Sequence, residues 1–219
     1  MRYDIAALAI VAAALLWMIH RHDRARIKAT RGAYFEACRG LFEEAKIAQV
    51  DVGFPVLEGR FRGHRIRLEP VVDHIAVRKL PSLWLKVDVF GELPIGGTLD
   101  FLARPLNTEF FSPSDSLPTT LPIPPSWPQF AVMRTDIADR RVPVEALTPH
   151  MRIFADVRMK ELLITPRGVR LVYQADQAER AHYMVLRQAR FATDQVPADL
   201  VQALLERALG VYNTVASLQ

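Results

Sequence analysis

A chain of 219 residues that is 50% apolar and 24% charged can bury one ordinary core, which excludes a disordered polypeptide. Its net charge of +4 would suit nucleic acid, but six of the 28 basic residues and only two of the 24 acidic ones precede Gly32, leaving 22 of each beyond. Duplex binding draws much of its affinity from a basic excess on the folded part, so nucleic acid is excluded as the expected partner.

The first element is the apolar run Ile5 to Ile19, fifteen residues rich in Ala and Leu and free of charge. It is expected to be a transmembrane anchor within residues 1–20. As a helix it rises only about 22 Å against a hydrocarbon layer of about 30 Å, so Arg2 and Arg21 would have to snorkel, with Tyr3 and Trp17 at the interfaces. A cleaved signal peptide would end in small residues, whereas this run closes on Trp17, Met18, Ile19 and His20. Arg21, Arg24, Arg26, Lys28 and Arg31 follow with only Asp23 among them. The positive-inside rule therefore puts the bulk of the chain on the cytoplasmic side of an inner membrane, with anionic lipid as a candidate contact of these five cations. A periplasmic domain is the alternative topology.

Residues 21–50 read as this basic segment running into an amphipathic helix from Arg24 to Gln49. Phe35, Cys38, Leu41, Phe42 and Ala45 fall at helical spacing, with a break expected near Thr30 to Gly32. Cys38, the lone cysteine, reads as an inert packing residue. Alternation on either side of Gly63-His64 predicts a hairpin from Leu57 to Glu69, closed by a type II′ turn. Strands are expected at Leu83 to Phe90 and through Leu99 and Phe101, completing a first half over residues 51–112. Six prolines in 113–128 predict an extended connection.

The second half, 129–219, is expected to hold a strand at Phe130 to Arg134, a short helix at Val144 to Ala155 and a hairpin from Leu162 to Tyr173. The turn of that hairpin is Thr165-Pro166-Arg167-Gly168. Tyr183 to Phe191 alternates like a strand. A last helix opens at Pro197 and carries the stripe Leu200, Val201, Leu204, Leu205, Ala208, Leu209 and Tyr212. The fold class is α+β: a transmembrane helix, then a soluble domain of antiparallel hairpins packed with helices.

No phosphate-cradling, nucleophile-elbow or zinc-protease motif occurs, so no cofactor or metal is assigned. The weak candidates for acid/base chemistry are Asp73 with His74 and Asp136 with Asp139, each pair following a strand, where capping a turn is the commoner role for Asp. Strand alternation would place Arg60, Arg62, Arg65 and Arg67 on one face with His64 at the tip, an arrangement suited to an anion or an acidic partner. Together these features suggest a non-enzymatic, membrane-anchored binding or assembly module. The alternatives are a membrane-associated enzyme acting on an anionic or lipid-linked substrate and, with reversed topology, a periplasmic envelope module.

Overall fold

Strong helix formers fill residues 5–19, and the helix they begin runs unbroken as α1 (Arg2–Gly32), 31 residues and about 46 Å long. The computed structural model describes residues 2–73, 80–106, 109–186 and 189–218, and the side chains of all of these except 2–6 and 186. From residue 7 to residue 30 every side chain of α1 is exposed. Among the described residues no helix is long and apolar enough to cross a membrane, so the fold is α+β as expected but the transmembrane anchor expected within residues 1–20 is not supported.

Beyond Gly32 the chain does not continue as the amphipathic helix expected to reach Gln49. A 3-10 turn (Glu36–Leu41) buries Cys38, and β1 (Glu43–Ala48) follows. The apolar spacing from Phe35 to Ala45 is genuine, but the open edge of the next strand competes for the backbone. Pairing Ile47 with Leu57 and Ala48 with Val56 satisfies groups that a helix would leave unpaired on that edge.

The remaining strands are β2 (Val56–Phe61), β3 (His64–Val72), β4 (Ser82–Phe90), β5 (Leu99–Ala103), β6 (Thr119–Leu121), β7 (Ala131–Thr135), β8 (Met159–Thr165) and β9 (Gly168–Gln177). They form one antiparallel sheet in the order β1-β2-β3-β4-β9-β8-β5-β7-β6. Strand β5, from before the proline-rich stretch, lies between β8 and β7 from after it. That stretch itself contributes β6, a three-residue strand at the sheet edge, where proline neighbours are tolerated.

Two sequence expectations are corrected here. Phe61 pairs with His64, so the first turn is Arg62-Gly63 and not Gly63-His64. Both turn residues have positive φ, 50° and 82°, which makes it type I′ and matches the strand twist. Residues 180–186 form the short helix α3 (Arg180–Leu186) in place of a strand starting at Tyr183. Both neighbouring places beside β9 are taken by β4 and β8, so the segment has no strand edge to join there.

One face of the sheet carries the main core. Leu57, Ile66, Leu68, Leu85, Val87 and Leu171 point to it from the central strands. The last helix, α4 (Ala198–Ala216), lies across β4 and β9 and buries Val201, Leu204, Leu205, Ala208, Leu209, Val211 and Val215 against them. At about 1.5–3 kcal/mol for each large apolar side chain, this helix is a main source of stability. Near one end of the sheet, α2 (Val144–Leu147) and a 3-10 turn (Thr148–Ala155) place Phe154 against Phe101, with Trp127 edge-on to the same ring.

Candidate functional site

The sheet has two ends that differ in what they carry. At the root end lie the close of β1, the start of β2, the close of β3, the start of β4 and the close of β9, because Ala48 pairs with Val56, Val72 with Leu83 and Ser82 with Gln177. Helix α1 enters there. Arg24 donates to both carboxylate oxygens of Asp51 at 2.6 Å, Gln49 donates to the Lys28 carbonyl at 3.0 Å, and Arg31 donates to the Val52 carbonyl at 2.9 Å while stacking on Phe54. The hydrogen bonds from Arg24 hold the Asp51 carboxyl below the usual carboxylate range. Farther out, Arg21 lies over the ring of Trp17 at 5.3 Å.

The tip end carries the Arg62-Gly63 and Pro166-Arg167 turns, about 27 Å from the root along β3 at strand rise. The expected single face of hairpin cations is divided there. Arg60 and Arg65 are cross-strand partners, and Arg67 lies opposite Glu58, all on the face away from α4. Being in the turn, Arg62 leaves that face and pairs with Glu206 of α4 at 2.8 Å. His64 likewise packs edge-on to Tyr212 of α4. Arg65 and Arg67 reach Glu58 at 3.9 and 3.5 Å, and Arg67 also reaches Glu69 at 3.7 Å. These exposed pairs contribute little to stability, roughly 0–1 kcal/mol each.

The candidate acids do not join them. Asp73 closes β3 at the root end, about 20 Å along the strand from Arg67, and its partner His74 lies outside the described residues. Asp136 follows β7, five strands from β3, and accepts the amide N–H groups of Thr98 and Ile137 at 2.6 and 2.7 Å. Burial raises its pKa, but these amides outweigh that and hold it low, as fits a turn-closing carboxylate. Asp139 lines an open surface groove with Arg140, Arg141 and Leu218.

Sequence reasoning missed a polar cluster on the sheet face opposite α4. Trp84, Leu102, Phe111 and Val172 form a second small core there, and beside it Asp100 and Glu161 are wholly buried on neighbouring strands. Ser112 donates to Asp100 at 3.0 Å, and among the described residues neither Glu161 oxygen has a partner that meets hydrogen-bond geometry. Burial, reinforced by the charge of Asp100, pushes Glu161 up to about 8, and burial pushes Asp100 up to about 6. Burial and mutual repulsion therefore favour a shared proton on the Asp100 and Glu161 pair over two adjacent charges. Nearby, Lys160 pairs with Glu109 at 2.9 Å with both side chains nearly buried, and Arg170 donates to Asp88 at 2.6 Å. Asp100 falls inside the strand expected through Leu99 and Phe101, Glu161 lies just before the hairpin expected from Leu162, and nothing in their spacing marks them.

No protein-family model matches the chain, and no curated protein matches it. A solved structure to which it is similar is the mycobacterial trehalose monomycolate transport factor A, TtfA. Identity is 10%, the alignment covers 86% of this chain and 91% of that one, and the TM-score of 0.39 is too low to carry an argument.

Proposed function

We propose that this protein is a membrane-tethered binding or assembly module, held at an anionic bilayer by α1 and presenting the tip end of its sheet to a partner. The observation that carries this reading is the exposure of α1. Leu8, Ile10, Val11, Leu15, Leu16, Trp17, Met18 and Ile19 surround the helix with apolar surface that none of the described residues covers. Leaving so many large apolar side chains in water costs about 1.5–3 kcal/mol each relative to burial. Lipid supplies that burial. The cations from Arg21 to Arg31 follow the apolar half, those not engaged by the loop 49–53 (Arg21, Arg26 and Lys28) each adding about 1 kcal/mol of attraction to an anionic leaflet, and the group favours a cytoplasmic position for the sheet.

Such a tether raises the local concentration of a weakly binding surface, so a shallow contact suffices and a deep pocket is not needed. With α1 in lipid, the exposed Arg60 and Arg65 stand at the far end of the sheet from the bilayer, which favours an acidic protein partner over lipid for these two residues. The separation of the hairpin cations from Asp73 and Asp136 also favours a binding module over an enzyme using those groups.

Flotation with vesicles containing phosphatidylglycerol tests the tether. The full chain is expected to float with them, and Leu8→Asp/Leu15→Asp to remain at the bottom of the gradient with an unchanged far-ultraviolet spectrum. Equal flotation of the two proteins would refute the proposal.

A further inference from the structure

The root of α1 is built as a clamp and not as a flexible hinge. The helix has no break before Gly32, and immediately beyond it the amides of Ala33 and Tyr34 still bond back to the carbonyls of Thr30 and Arg31. Three contacts then fix the loop 49–53 to its flank: the two-oxygen Arg24 to Asp51 bond, the Gln49 to Lys28 bond and the Arg31 to Val52 bond. Arg24 is five residues past Ile19, Lys28 nine and Arg31 twelve, so the three contacts lie about 8, 14 and 18 Å along the axis from the end of the apolar run, and the Asp51 tip of the loop is its nearest part. The polar headgroup region on each side of a bilayer is about 5–8 Å thick, which brings that tip to its outer edge.

Two features of this end suit such a place. Val50 is 84% exposed at the loop tip. Exposed Met184 and Val185 of α3 belong to the same end, tied to it through Ala178 bonding the Pro81 carbonyl and Phe191 packing on Phe54. Arg24 and Arg31 are engaged in the clamp, whereas Arg21, Arg26 and Lys28 are exposed on the neighbouring helical turns.

We infer that the root end of the sheet is a second membrane-contact surface: loop 49–53 enters the headgroup layer of an anionic bilayer, with Val50 at the acyl boundary and Arg21, Arg26 and Lys28 on lipid phosphates. This rests on the tether proposed above and adds to it a fixed orientation. The sheet stands on the membrane with its tips pointing away, instead of swinging on a linker.

The test uses the full chain reconstituted in vesicles containing phosphatidylglycerol, with an environment-sensitive fluorophore at Val50→Cys or, as a control at the opposite end, at Arg167→Cys. Cys38 is buried with its thiol pushed up to about 11, so the unsubstituted chain gives the labelling background. The Val50 label is expected to shift to shorter wavelength and to be quenched by acyl-chain quenchers, and the Arg167 label to do neither. Adding Asp51→Ala should cut the Val50 quenching at least twofold while Trp17 stays quenched.

A Val50 label that remains water-like while Trp17 is quenched would overturn the docking and leave the tether standing. Loss of both signals would remove the tether and the docking with it. A blue shift without acyl-chain quenching would point to a protein contact and would equally overturn the lipid assignment.

Discussion

Gly168 opens β9 at φ 143°, and a Cβ built there would land on the Val89 carbonyl oxygen, a backbone atom that cannot rotate away. Gly168→Ala is therefore expected to destabilise the fold by at least about 2 kcal/mol, read as a lower denaturant midpoint; an unchanged midpoint would contradict the register of β4 on β9. Glu161 makes a different demand. In the unfolded chain it titrates near 4.5, whereas burial beside Asp100 raises it in the fold, so above that value the folded state binds more protons and stability falls as pH rises. Glu161→Gln should flatten this slope and raise the thermal midpoint at pH 8. A midpoint for the unsubstituted chain that climbs from pH 5 to 8 would contradict the burial. Gly168 was legible in the sequence as a turn glycine, but Glu161 was not, because its burial beside Asp100 comes from the pairing of β8 with β5, about sixty residues apart along the chain.

The elements that local pattern specifies are the ones the sequence expressed well. Helix α4 has a full apolar stripe and a proline at its start, and both hairpins have turn residues suited to positive φ or to proline. Leu204→Ala should cost about 2–5 kcal/mol, because that side chain is wholly buried at the centre of the helix and sheet contact. A loss below about 1 kcal/mol, measured by chemical denaturation, would mean that α4 is not seated on β4 and β9. Two elements were misread for reasons of competition. The helical spacing of Phe35 to Ala45 yields to the free edge of β2, and the alternation after Tyr183 finds no open edge beside β9. The turn of the first hairpin was misplaced by one residue, and that step also moved Arg62 and His64 off the Arg60, Arg65 and Arg67 face. In β-structure a one-residue shift of register exchanges the two faces.

At the scale of the molecule, the order of the strands could not be read from local pattern, since strands from either side of the prolines interleave in one sheet. The polarity from root to tip follows from that topology, and it separates the attachment of α1 from the hairpin arginines by the length of a strand. The central claim is that the apolar half of α1 lies in lipid. Trp17 is 61% exposed on that half, whereas Trp84 and Trp127 are buried in the sheet and its flank, so lipid-phase quenching of tryptophan reports on Trp17. In vesicles made with brominated acyl chains, the full chain is expected to lose its Trp17 emission and Trp17→Phe to show no quenching. Emission from the full chain that is indifferent to the brominated lipid would contradict the account.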